Sequence, residues 1–342
     1  MDLHGKAAVA LIHEPTNAPP AWISLRPYRY VLGAIGQQSA ALIQRGAEAV
    51  VLVSDSTAEL PMAWGFGGAA MMRGRYGLDT GAVDTAAFRR PPVLWVRRDE
   101  LDALRAPGAR LIAHIQAETF AYPSVNVIGV VPGRDAAKRG EYVLFSGHQD
   151  HDGVRAVIAG DSIWNGADDN ASTSVIMLAI ARAVHAQPMA RSALFVWHGA
   201  EERGLLGSRW YVSHPTVPLT SIVAVLNGDM MGRNAPDSAG LLGVQPPHEN
   251  SAALAKAALD ANARWTHFAI DSTWDRPNHP ENWYFRSDHA SYARANVPAV
   301  FFTTLLHSDY HTPRDEASRI DYAKLARMAR WMYGTGWLMG ER

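Results

Sequence analysis

Val143-Leu-Phe-Ser-Gly-His148-Gln-Asp150 is an apolar run that ends in an imidazole and, two residues on, a carboxylate. The same arrangement recurs along the chain. Gly166-Ala-Asp168-Asp169-Asn170 opens a helical pattern, Gly199-Ala-Glu201-Glu202 follows the run 193–197, Asn227-Gly-Asp229 follows 222–226, and Asp309-Tyr310-His311 comes after 299–302. These short apolar runs alternate with helix-period segments at 171–185, 205–213, 251–263 and 322–338. Such alternation predicts a mixed, mostly parallel α/β sheet sandwiched by helices. Ligands of open α/β sheets gather outside the carboxyl ends of the strands, which is where these imidazoles and carboxylates fall. Five groups that are costly to bury, brought together there without a thiolate, read as a dinuclear metal site of the kind zinc occupies in hydrolases.

Composition narrows the alternatives. With 342 residues, 48% hydrophobic and 19% charged, the chain can bury a large core, and its length suggests about two domains. A formal net charge of -1 gives no electrostatic argument for nucleic acid or for an anionic membrane, so neither is expected as a partner. The absence of Cys excludes disulfides, thiolate metal sites and a cysteine nucleophile. Met1-Asp-Leu-His-Gly-Lys6 lacks a charged-then-apolar signal pattern, and no apolar run approaches the ~20 residues of a membrane span.

The two halves differ in content. Residues 1–121 offer strands at 6–12, 47–53 and 92–96, a helix at 37–44, and a Gly-, Ala- and Met-rich tract over 54–91 without clean periodicity. They read as a small accessory module. Residues 122–342 open with the strand 124–131, which turns at Pro132-Gly133 and is expected to form a hairpin with 142–146. This second half carries every candidate ligand.

The set His148-x-Asp150, Ala167-Asp168-Asp169-Asn170, Glu201-Glu202-x-Gly204-x-x-Gly207-Ser208, Asn227-x-Asp229 and Tyr310-His311-Thr-Pro resembles the family-28 metallopeptidases, co-catalytic dizinc aminopeptidases. Ser287-Asp288-His289 matches a further segment usual in that family, and the likeness runs from about Ser124 to the C-terminus. The first half is similar to a protease-associated domain, a small β-rich insert. In the family a helical segment precedes that insert, so a truncated form is expected here, and the full-length form would be secreted or periplasmic.

The resemblance implies two Zn2+ ions bridged by Asp168, one completed by His148 and Asp229, the other by Glu202 and His311. Asp169 is left to cap the following helix. Glu201 would be the general base, Asp150 would accept the second N–H of His148, and Tyr310 would hydrogen-bond the developing oxyanion. His151, His198, His289 and His307 are expected in outer or ordinary polar roles, with His151 the nearest rival of His148. The implied substrate is a peptide with a free N-terminus. Trp265, Phe268, Trp274, Trp283, Tyr284 and Phe285 either line a pocket for an apolar first residue or form a packed loop core. The competing functions are a single-zinc glutaminyl cyclase-like acyltransferase and a catalytically inactive or truncated homologue acting as a binding module.

Overall fold

The computed structural model describes residues 2–23, 25–72, 76–79, 91–114, 116 and 118–342, so residues 73–75 and 80–90 of the Gly-, Ala- and Met-rich tract lie outside the described residues. The chain forms two compact units, Met1–Tyr122 and Pro123–Arg342.

In the first unit, β1 (Ala7–Leu11), β2 (Ala49–Val53) and β3 (Val93–Val96) make a parallel sheet in that order. Helix α1 (Arg26–Gln44) buries Tyr30, Val31, Ala34 and Ile35 in a cluster with Val50 and Leu52. The helix expected at 37–44 is its second half. Gly33 and Gly36 mask the first half, because glycine weakens helix propensity and only tertiary burial overrides it. Two short α-helices follow, α2 (Ala69–Met72) and α3 (Leu101–Arg105), each directly preceded by a further helical turn, Ala63–Gly68 and Arg98–Glu100. Among the described residues this unit is a parallel α/β arrangement, and the β-rich character expected for it is not seen there.

The second unit contains, in chain order, β4 (Val127–Val131), β5 (Tyr142–His148), β6 (Gly153–Ile158), β7 (Asp161–Trp164), α4 (Thr173–Ala186), β8 (Ser192–His198), α5 (Leu206–Ser213), β9 (Ile222–Gly228), β10 (Ser238–Leu242), α6 (Ala252–Trp265), β11 (Ala269–Ile270), α7 (His289–Arg294), β12 (Ala299–Thr303) and α8 (Tyr322–Glu341). Seven of these strands form one sheet in the order β11-β10-β12-β9-β5-β8-β4, while β6 and β7 pair separately as a hairpin. The middle four, β12, β9, β5 and β8, are parallel. Both of their faces are covered, which explains their unbroken apolar sequences. Val143, Phe145, Phe195 and Leu226 pack against α4, α6 and α8 on one side. Leu144, Leu194, Val196 and Val225 pack with Tyr211 of α5 and Tyr292 of α7 on the other.

The expected hairpin between 124–131 and 142–146 does not form. β4 pairs antiparallel with β8, Val127 opposite Trp197, and β8 lies between β4 and β5. The turn after β4 fixes this choice. Gly133 donates its N–H to Ser192 Oγ at 2.9 Å, and a Cβ there would stand 2.3 Å from the Ala190 carbonyl oxygen. Only glycine lets the turn close onto the start of β8. No helix among the described residues is long and apolar enough to cross a membrane.

Phe145 anchors this arrangement: it is fully buried, stacks on Phe195 with ring centroids 5.1 Å apart, and fills the space left by Gly336 of α8. Phe145→Ala should lower unfolding free energy by about 3–5 kcal/mol, the usual cost of emptying a buried aromatic site, whereas Val157→Ala, at a position 65% exposed, should change it by less than about 0.5 kcal/mol. Denaturant titration of both variants checks this, and equal losses would contradict the assignment of the core.

Candidate metal centre

The four parallel strands deliver their carboxyl ends to one edge of the sheet. His148 is the last residue of β5, opposite His198 at the end of β8. Asp229 directly follows β9, and the loop after β12 carries His307, Asp309, Tyr310 and His311.

His148 is fully buried. Its Nδ1 lies 3.0 Å from the Asp150 carbonyl oxygen. A carbonyl can only accept, so Nδ1 donates to it and Nε2 faces the cluster. That Nε2 is 3.1 Å from Asp169 Oδ1 and 3.5 Å from Asp229 Oδ2. The other oxygen of Asp169, Oδ2, is 3.0 Å from His311 Nε2, which is 3.2 Å from Glu202 Oε1. His151 Nδ1 approaches the same Glu202 oxygen to 2.8 Å.

Asp169, not Asp168, therefore stands between the two halves of the cluster, and neither carboxylate makes a side-chain cap to the following helix. Asp168 points away: its Oδ1 accepts from Gly232 N–H at 2.6 Å and its Oδ2 lies 3.4 Å from His307 Nε2. The turn backbone decides this. Asp169 (φ -105°, ψ 85°) and Asn170 (φ -138°, ψ 34°) are non-helical, and side chains on extended backbone project alternately. Asp315 holds the turn, its carboxylate accepting from the Asp168 and Asp169 amides at 3.0 Å each. Asn170 ties it to the end of β9 through Gly228 O and Met230 N–H.

Asp150 also acts differently from expectation. Its backbone oxygen receives the His148 proton, while its carboxylate accepts the amides of Glu201 at 3.0 Å and Glu202 at 3.2 Å. It holds the turn that presents both glutamates. The nearest approach of its carboxylate to His148 Nδ1 is 3.8 Å, too long for a hydrogen bond.

The electrostatics are those of a crowded, dry cluster. Burial pushes the Glu201 carboxyl well up, and Glu202, Asp229 and Asp288 add to this against the pull of His148. Burial raises Asp229 as well. Burial would lower His148, but Glu201 and Asp229 outweigh it and hold the imidazole well above its usual range. His311 is raised to about 10, burial being overcome by Glu202 and Asp169.

Yet His148 Nε2, both ring nitrogens of His151 and Glu202 Oε1 are buried without a hydrogen bond. These atoms sit close together without aiming N–H groups at oxygens. On each side of Asp169 one atom from each of these residues converges with the others as ligand atoms do around a cation. Two sets could hold one: His148, Asp169 and Asp229, and His151, Asp169, Glu202 and His311, the offered atoms of each lying within 4.8 Å of one another.

A cleft of about 250 Å³ opens on the cluster, walled by Leu205, Trp283, Phe285, Arg286 and Tyr310 beside Glu201. Arg286 went unnoticed in the sequence although it directly precedes Ser287-Asp288-His289. It donates to Tyr310 Oη at 3.1 Å, pairs with Glu281 at 2.6 Å and lies 4.7 Å over Trp283. Of the six aromatic residues between Trp265 and Phe285, only Trp283 and Phe285 reach the cleft. Phe268 packs on Trp331, Tyr284 stacks on His248, and Trp265 lies against Gly334.

Residues 126–335 match Peptidase family M28, and the chain belongs to that family. It is 27% identical over 260 residues to leucine aminopeptidase 1 of Arthroderma gypseum, covering 72% of this chain and 66% of that one. It is 30% identical over 223 residues to a probable leucine aminopeptidase of Arthroderma otae, covering 62% and 56%. The chain thus spans less than two thirds of either relative. Its fold is like that of an aminopeptidase from Aneurinibacillus sp. strain AM-1 (TM-score 0.57, 19% identity, 100% and 71% covered). It is also like that of BSAP, a zinc aminopeptidase from Bacillus subtilis (TM-score 0.54, 18% identity, 99% and 71% covered).

The remaining imidazoles lie behind the cluster. His289 is buried beside Phe301 and Tyr284. His198 Nε2 lies 3.1 Å from Tyr292 Oη, and burial, aided by His148, pushes the imidazole down to about 3. A free imidazole titrates near 6.5, so below that pH the unfolded chain binds a proton that the folded chain refuses until about pH 3. Stability should fall across this window by ~1.4 kcal/mol per pH unit from this residue. His198→Asn should make the pH dependence of the denaturation midpoint shallower between pH 6 and 4. An unchanged slope would show that His198 is not held neutral.

Proposed function

We propose that this chain is a dizinc aminopeptidase whose two cations share Asp169, with His148 and Asp229 completing one side and Glu202 and His311 the other. The observation that carries this reading is the convergence of imidazole and carboxylate atoms on both sides of Asp169, with His148 Nε2, the His151 ring nitrogens and Glu202 Oε1 buried without a hydrogen bond. Three carboxylates and neutral-capable imidazoles are the donor chemistry zinc takes in hydrolases. The names of the relatives add support for zinc and for N-terminal leucine. Bound there, zinc supplies Lewis acidity toward a carbonyl and brings the pKa of a coordinated water down to about 7.

The protein's own groups do the rest. Glu201 takes the proton of the attacking water and returns it to the leaving amine, and the raised proton affinity that burial gives it matches this two-way role. Asp150 fixes where Glu201 stands by holding its amide. Tyr310 lines the cleft and accepts from Arg286, and its hydroxyl is the group that meets the carbonyl oxygen as negative charge develops. Arg286 is neutralised by Glu281, so it polarises Tyr310 without selecting an acidic side chain. Leu205, Trp283 and Phe285 offer an apolar wall for the first side chain of the peptide. The acidic groups at the inner end of the cleft receive its α-ammonium.

Leucyl-nitroanilide should be cleaved faster than the lysyl and glutamyl compounds, and N-acetylated leucyl-nitroanilide should not be cleaved. Equal turnover of the acetylated compound would refute exopeptidase character. Glu201→Gln should retain its zinc and lose about 10²–10⁴ in kcat. Asp169→Asn should lose bound zinc measured by atomic emission, whereas Asp168→Asn, which keeps an acceptor for Gly232, should retain it. Zinc lost from Asp168→Asn but kept by Asp169→Asn would return the shared position to Asp168.

A further inference from the structure

The two cation positions around Asp169 are not equivalent, and the difference is His151. Its side chain is 7% exposed, and its Nδ1 lies 2.8 Å from Glu202 Oε1. At that separation an outer imidazole would be expected to point its N–H along the line to the carboxylate, as supporting groups do. It does not. Neither ring nitrogen of His151 makes a hydrogen bond, nor does Glu202 Oε1. His148 Nε2 shows the same combination of short approach and missing hydrogen bond. Leaving two imidazole nitrogens and a carboxylate oxygen unsatisfied at such burial is costly unless a cation joins them.

The surroundings hold the ring in this position. His151 meets His311 edge to face, with centroids 5.5 Å apart and planes at 74°, so the two imidazoles reach the Glu202 oxygen from different sides. Gly166, at φ +68°, leaves the space the ring occupies. A Cβ there would stand 2.4 Å from His151 Cγ and 2.3 Å from the Asp169 carbonyl oxygen.

From this we infer that His151 is a fourth protein ligand, completing with Asp169, Glu202 and His311 a position enclosed by protein, while the His148, Asp169 and Asp229 position keeps a place for water. The inference rests on the dizinc reading above. Four-coordinate sites made wholly of protein atoms are structural, and sites with three protein ligands retain the open place that catalysis needs. The open position is also the one beside the base, since Glu201 Oε2 lies 4.0 Å from His148 Nε2. The enclosed ion would hold Glu202 and His311 in place and exchange slowly; the open ion would exchange readily and handle water.

Proton NMR of the cobalt-loaded protein tests this without reference to activity. Each bound imidazole keeps one N–H, which the paramagnetic ion shifts out of the normal spectral range and which disappears in D2O. With two cobalt ions bound, the wild type should show three such resonances, from His148, His151 and His311. His151→Gln should show two, and its second cobalt should bind at least ~10-fold more weakly. Two resonances in the wild type, or three retained in His151→Gln, would overturn the assignment of His151 whether or not the variant is fully stable. Failure of the wild type to bind two cobalt ions would instead overturn the dizinc reading on which the inference depends.

Discussion

One carboxylate, Asp169, holds the centre together. It faces His148 with one oxygen and His311 with the other, and every other ligand candidate is placed relative to it. Carboxylates crowded in a dry cleft repel each other and resist ionisation unless positive charge is supplied from within. Glu201 and Asp229 are raised in this way, while at Asp169 and Glu202 burial is outweighed by the facing imidazoles, which hold them down, and among the described residues no lysine or arginine pairs with these four carboxylates. Arg286, which lines the same cleft, is engaged with Glu281 and Tyr310.

The framework that tolerates this crowding is the buried parallel sheet. Strands packed on both faces end abruptly, and the turns that follow are held by side chains rather than by further pairing. Asp315 grips the amides of the Asp168–Asp169 turn, Asp150 those of Glu201 and Glu202. In the loop after β12, Asp309 pairs with Arg233, Arg314 and Arg319 and so fixes the backbone just before Tyr310 and His311. Each of these three turns thus has a carboxylate behind it. A network of this kind would hold the candidate ligands in place before a cation bound, so less ordering would be required on binding.

Much of this was legible in the sequence because parallel strands buried on both sides leave unbroken apolar runs, and polar residues just past them stand out. His148, Glu202, Asp229 and His311 could be located in that way, and the structure brings them together. What the sequence could not convey was orientation. Asp168 and Asp169 are chemically identical neighbours, and the choice between them follows from turn angles imposed by Asp315, far along the chain. His-x-Asp likewise suggested a side-chain contact from Asp150, whereas the backbone carbonyl makes it and frees the carboxylate for the glutamate turn. The β4–β5 hairpin was expected because neighbours in sequence usually pair; the Gly133 turn directs β4 to β8 instead. Arg286 remained hidden because a lone basic residue carries no spacing pattern, and His151 was legible only as a rival of His148, since the tertiary fold alone shows that it faces Glu202.

Anomalous diffraction at the zinc edge from crystals grown with zinc tests the central claim most directly. Two peaks flanking the Asp169 carboxylate, one toward His148 and Asp229 and one toward Glu202 and His311, are the predicted result. A single peak, or density remote from Asp169 with the carboxylate bound to neither ion, would contradict it.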